Sequence, residues 1–98
     1  QVARLRVFAN DQGRFDLSLI DVKGSALVVS QFTLIADTSK GNRPNFFEAA
    51  EPALARELYL GFVGELEALG VAVETGTFGA AMRVDIANDG PVTVVVER

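Results

Sequence analysis

The stretch that most limits how this chain can fold is Ala26-Leu27-Val28-Val29-Ser30-Gln31-Phe32-Thr33-Leu34-Ile35-Ala36-Asp37. β-branched and aromatic residues dominate it, turn formers bound it (Lys23-Gly24-Ser25 before, Thr38-Ser39-Lys40-Gly41 after), and it is too short to span a membrane. An apolar run of this kind predicts a strand in the middle of a sheet, covered on both faces. Alternation sets Leu27, Val29, Gln31, Thr33 and Ile35 on one face and Val28, Ser30, Phe32, Leu34 and Ala36 on the other. Polar Ser30, Gln31 and Thr33 thus enter an apolar layer. A buried polar group costs about 1 to 3 kcal/mol unless it is hydrogen-bonded, so these residues either satisfy neighbouring backbone groups at a bulge or face a ligand.

At 98 residues the chain has the length of one domain, and 49% hydrophobic residues with three prolines is the composition of a folding sequence. Cys and His are both absent. Disulfides, thiolate nucleophiles, zinc-cysteine sites, Ser-His-Asp and Cys-His arrangements and most transition-metal sites are thereby excluded, so no metal and no cofactor is expected. A net charge of −4 argues against broad, non-specific nucleic-acid binding and leaves room for a small local contact. No run reaches transmembrane length and no secretory leader pattern is present, which reads as cytosolic. The chain starts at Gln1 inside a pattern already under way, a hint that further sequence precedes it.

Gln1 to Phe8 reads either as the end of a helix or as a short strand. Asn10-Asp11-Gln12-Gly13 is a dense turn signal, and Arg14 to Ile20 then alternates with Phe15, Leu17 and Leu19 on one side, as in a half-buried strand. Thr38 to Phe47 is loop, broken by Gly41, Asn42 and Pro44; it carries Lys40 and Arg43, the basic pair next to the polar stretch. Pro52 fits the first turn of a helix running to Leu69, with Leu54, Leu58, Phe62, Leu66 and Leu69 as its buried stripe, Tyr59 and Val63 beside it, and Gly70 as the residue that ends it. Gly61 and Gly64 inside that helix predict close approach of a strand or of another chain, the strand being the preferred reading. Val71 to Glu74 reads as a strand, Thr75 to Gly79 as a turn, and Met82 to Asn88 and Val92 to Val96 as two strands of a hairpin around Asp89-Gly90, with Met82, Val84 and Ile86 inward. Pro91 cannot donate to the ladder, so it lies at an edge, at a bulge or outside the pairing, and base rates alone predict a trans bond.

Taken together, Ser30-Gln31-Phe32-Thr33-Leu34 with Ala36-Asp37, then Gly41-Asn42-Arg43-Pro44-Asn45-Phe46, Gly76-Thr77-Phe78-Gly79-Ala80-Ala81-Met82 and Asn88-Asp89-Gly90-Pro91-Val92-Thr93 resemble the D-aminoacyl-tRNA deacylase family, from about Leu5 to the C-terminus. The resemblance implies an α/β fold of α+β type: a mainly antiparallel, barrel-like sheet with one long packed helix. That family normally carries further strands ahead of the position of Gln1. It also implies a cytoplasmic homodimer that hydrolyses the ester of D-aminoacyl-tRNA, and of glycyl-tRNA, as proofreading in translation, with the aminoacyl-tRNA 3′ end as partner and neither DNA nor membrane. The family's glycine-proline bond is cis and projects into the partner subunit's site, excluding L-amino acids; carried over, these are Gly90 and Pro91. Ser30, Gln31, Phe32 and Thr33 line the catalytic wall, and Phe78 and Met82 match residues of the adenine pocket.

Ester hydrolysis needs an oriented water and donors aimed at the developing oxyanion, which backbone N–H groups around Phe32 and Thr33 can supply without a titrating side chain. Thr33 as a covalent nucleophile is the sharper alternative, with no adjacent base in the sequence. The rival readings are a catalytically silent binding or structural module of this fold, and an editing domain like that of archaeal threonyl-tRNA synthetases, against which Gly90-Pro91 argues.

Overall fold

The computed structural model describes residues 1–97. A 3₁₀ turn, Val2–Arg4, runs into β1 (Phe8–Ala9), so the N-terminal segment is helical first and extended second. β1 pairs antiparallel with β2 (Phe15–Leu17), and the turn between them is tied by Asn10, whose side-chain oxygen accepts the Gln12 and Arg14 N–H groups at 2.9 and 3.1 Å, with Gly13 at φ 76°. β2 is shorter than the alternation of Arg14 to Ile20 predicts. Its continuation is taken by a reciprocal bond: Ser18 N–H donates to the Asp21 carboxylate at 2.9 Å, and Asp21 N–H donates to Ser18 Oγ at 3.2 Å. That pair turns the chain toward β3 and leaves Ser18 buried.

β3 is Ser25–Val28 and takes up only the first quarter, Ala26 to Val28, of the run that reads as a strand from the sequence. It pairs in parallel with β4 (Ala72–Thr75), Ala26 opposite Val73 and Val28 opposite Thr75. The helix α1 (Pro52–Ala68) and its exit supply the crossover and lie against β4. Ala26, Val28 and Val73 turn inward onto a core of Ala3, Leu66 and Val71, joined by Leu19 and Ile20. Leu27, on the other side of β3, is 62% exposed, so the strand is covered on one face and not on both. Beyond it the chain leaves the extended state at Ser30-Gln31 and forms a second 3₁₀ turn, Phe32–Ile35, closed by bonds from Leu34 N–H to Gln31 O and from Ala36 N–H to Thr33 O. A polar pair that cannot satisfy itself inside a sheet ends the strand and starts the turn.

α1 ends one residue short of the expected Leu69. Gly70, at φ 87°, lets Val71 N–H reach Leu66 O at 3.1 Å and Gly70 N–H reach Glu67 O at 2.9 Å, and the accompanying apolar contact joins Leu66 to Val71. The packed stripe is Ala55, Tyr59, Val63 and Leu66, and of the expected leucine stripe only Leu66 is buried. Leu54, Leu58, Phe62 and Leu69 are exposed. The helix is rotated by about one residue from the sequence reading, because Tyr59, whose hydroxyl donates to Val28 O at 3.3 Å, anchors it to β3. A Cβ at Gly61 or Gly64 meets nothing within 4 Å, so neither marks a close approach of a strand of this chain.

The two expected C-terminal strands are not paired among the described residues. Met82, Val84 and Ile86, expected inward, are exposed, as are Val92, Val94 and Val95. With one antiparallel and one parallel pair, the described structure is a mixed α/β fold of one helix and two small sheets in place of a mainly antiparallel one. No helix of the described residues is long and apolar enough to cross a membrane.

Candidate active site

The ends of these elements meet around a cavity of about 1070 Å³. Its walls come from three places: Ser30, Gln31, Phe32 and Ile35 after β3, Phe46 and the entry to α1 from Ala49 to Leu58, and Phe78 to Met82 after β4. Two of these walls follow the end of a strand, and the third leads into α1. Phe32 and Phe46 pack edge to face with ring centroids 5.0 Å apart, and Phe78 packs against Tyr59 at 5.5 Å. The Tyr59 hydroxyl, fixed on Val28, thus ties the Phe78 wall to the strand from which Ser30 follows.

The loop beneath Phe46 is pinned at its base. Asp37 and Asn45 exchange both backbone N–H···O bonds at 2.9 Å, and the Asp37 carboxylate accepts the Ser39 N–H at 2.8 Å. That backbone bond from Ser39, with smaller help from side-chain bonds to Ser39 and Asn45, holds the Asp37 carboxyl below its ordinary 3.8.

Of the residues expected at the site, Ser30, Gln31, Phe32, Phe78 and Met82 line this one cavity. Thr33 stands just outside the lining, where its hydroxyl accepts a hydrogen bond from the Gln31 side-chain amide. Gly90 and Pro91 do not reach the cavity of their own chain. The bond between them is cis, against the base-rate expectation and in line with the family resemblance, and Gly90 has φ 137°. Ile35, Phe46, Ala55 and Leu58 were not anticipated as lining. Phe46 was within reach of the sequence, since it closes the Gly41 to Phe46 motif; Leu58 was not, because its spacing assigns it to the core.

Chemically the cavity is apolar with few polar groups. Among the described residues Glu51 is its one ionisable lining side chain. Around the second 3₁₀ turn, the Phe32 and Thr33 N–H groups donate to no acceptor among the described residues. The Thr33 hydroxyl has an amide as its described partner, and an amide does not take up a proton at neutral pH. Among the described residues no group of three His, Cys, Asp or Glu side chains is placed to hold a metal ion.

A sequence profile of the D-Tyr-tRNA(Tyr) deacylase family matches residues 1–97. The chain belongs to that family. It is 58% identical over 97 residues to the D-aminoacyl-tRNA deacylase of Roseiflexus sp. (strain RS-1), covering 99% of this chain and 63% of that protein. The D-aminoacyl-tRNA deacylase of Thermomicrobium roseum is 60% identical over 94 residues, covering 96% of this chain and 61% of the other. Among solved structures, one called c-Myc DNA Unwinding Element Binding Protein superimposes with a TM-score of 0.80 at 38% identity, covering 93% of this chain and 62% of that one. The chain therefore spans about three fifths of the length of the relatives it matches.

Proposed function

We propose that this D-Tyr-tRNA(Tyr) deacylase family member hydrolyses the ester of D-aminoacyl-tRNA, and of glycyl-tRNA, releasing the free amino acid and tRNA. The observation that carries the reading is the meeting of Ser30, Gln31 and Phe32 with Phe78 and Met82 around one cavity, at the two sequence motifs that the family resemblance names as catalytic wall and adenine pocket. Membership of the family and relatives bearing the deacylase name support it.

In the proposed reaction a water oxygen attacks the ester carbonyl, and the Phe32 and Thr33 N–H groups hold the developing oxyanion. The bond from the carbonyl carbon to the ribose oxygen then breaks, leaving a carboxylate and a ribose hydroxyl. The free ribose hydroxyl beside the ester helps to activate the water, so the chain itself needs neither His nor Cys. Thr33 is not the nucleophile in this scheme, because its hydroxyl lies against an amide and not against a base. Phe78 stacks on the terminal adenine with Met82 beside it.

Gly90 and Pro91 act in the site of a second copy, where their carbonyls exclude L-amino acids; their position away from the cavity of their own chain supports this arrangement. The working unit is then a homodimer, cytoplasmic like its tRNA substrate, with the single domain of residues 1–98 completed toward a barrel-like sheet. The same position of Gly90 and Pro91 is what favours a second reading, a catalytically silent module, if no second copy docks.

The test is hydrolysis of D-tyrosyl-tRNA against L-tyrosyl-tRNA by this chain, with Gly90→Ala and Gln31→Ala alongside. A Cβ at Gly90 lies 3.3 Å from Val92 N at a φ that side chains rarely adopt. Gly90→Ala is expected to cut the preference for the D-ester by about tenfold or more, since each 1.4 kcal/mol of lost discrimination is a factor of ten. Gln31→Ala lowers the rate while keeping the preference. Turnover of neither ester by a folded wild-type chain would leave the silent module as the reading.

A further inference from the structure

The loop of residues 38–44 rises from the cavity rim on two feet. Ile35 and Phe46, on either side of it, both line the cavity, and the paired Asp37–Asn45 backbone bonds at 2.9 Å close its base. The loop therefore cannot swing away from the site without breaking those bonds. At its outer end stand Lys40 and Arg43, both exposed and neither in an ion pair among the described residues, where the described pairs are Arg6 with Asp16 and Arg83 with Asp85. They are two of only nine basic residues in a chain of net charge −4. Arg4, Arg14, Lys23 and Arg56 are also exposed and outside these pairs; Lys40 and Arg43 are set apart by their loop, whose two ends adjoin the cavity lining at Ile35 and Phe46.

We propose that Lys40 and Arg43 clamp the phosphodiester groups that precede the terminal adenosine of the substrate, so that the loop measures the acceptor strand while the cavity holds the ester. This rests on the reading of the substrate as an aminoacyl-tRNA. Geometry allows it: Lys40 is three residues past Asp37 and Arg43 two before Asn45, so at about 3.5 Å per residue neither Cα lies more than roughly 11 Å from the bridge. Arg43 offers a planar fork to phosphate oxygens and Lys40 a compact charge, and Pro44 fixes the backbone behind Arg43. The binding is local, on few phosphates, which is compatible with an acidic chain.

The experiment compares two D-tyrosyl esters, the full tRNA and the phosphate-free adenosine ester, with Lys40→Ala, Arg43→Ala, the double variant and Lys40→Arg. Each alanine is expected to raise KM for D-tyrosyl-tRNA about fivefold with kcat within twofold, and to shift KM for the adenosine ester less than twofold. Affinity for uncharged tRNA is measured in parallel against salt: losing both cations should flatten the slope of log affinity on log salt by about 1.4 for a single-stranded contact, and Lys40→Arg should restore the Lys40 share. Equal loss on both esters would mean that the loop only shapes the cavity and would overturn the proposal, as would an unchanged salt slope. If the wild-type chain hydrolyses neither ester, the deacylase reading falls, and the tRNA salt slope still decides whether these residues bind phosphate.

Discussion

The Asp37 carboxylate is held on the Ser39 N–H at 2.8 Å while its own backbone pairs with Asn45, and this hydrogen bonding keeps its pKa below 3.8. A carboxyl whose pKa is lowered by folding adds stability that is fully present above the unfolded value and is lost as pH falls through the folded one. Asp37→Ala is therefore expected to lower the denaturation midpoint at pH 7, with the gap from wild type closing below pH 3.8 as the wild-type carboxyl protonates; urea titrations at pH 7 and pH 2.5 check it. Gly70 gives a second test. Nothing lies within 4 Å of a Cβ there, so Gly70→Ala carries only the cost of the left-handed backbone at φ 87°, about 1 kcal/mol, read from urea unfolding. At this scale the sequence is informative where a residue's local chemistry decides: Gly70 at the helix end, and Asn10 and Gly13 in the turn.

Among the elements, α1 was legible in its limits and not in its orientation. Pro52 and Gly70 punctuate the chain by conformational preference alone, whereas the buried side of a helix depends on what it meets. Here the Tyr59 hydroxyl on Val28 O turns the leucine-rich side outward. Leu66→Ala should then cost about 2 to 4 kcal/mol and Leu58→Ala less than about 1 kcal/mol, the reverse of the equal costs that a continuous stripe implies. Equilibrium denaturation of the two variants separates the alternatives. The stretch from Ala26 to Asp37 departs from its expected strand for the opposite reason. Composition favours β structure throughout, but the ladder ends at Val28, the polar pair Ser30 and Gln31 follows, and Phe32 to Ile35 fold into a 3₁₀ turn. The disagreement with simple alternation falls at the candidate site, where such disagreements concentrate.

The whole molecule exposes 8363 Å², against about 5,400 Å² for a compact chain of this length, and its radius of gyration is 15.9 Å against about 13 Å. Much of that exposed surface is apolar: Leu54, Leu58 and Phe62 on α1, and Ile86, Val94 and Val95 along the C-terminal segments. Periodicity at Met82 to Ile86 and Val92 to Val96 signalled burial that pairing within the described residues does not provide. Thermal unfolding should accordingly shift upward with protein concentration, as expected for the proposed dimer, and a midpoint independent of concentration would argue for a lone protomer.

The most direct test of the central claim is to titrate the isotopically labelled chain with D-tyrosyl-adenosine linked by a non-hydrolysable amide and to map the amide resonances that move. The changes are expected to centre on Ser30 to Thr33, Phe46 and Phe78 to Met82, with Gly90 affected in the same titration through the partner copy. Changes confined to other surfaces, with these residues silent at saturation, would contradict it.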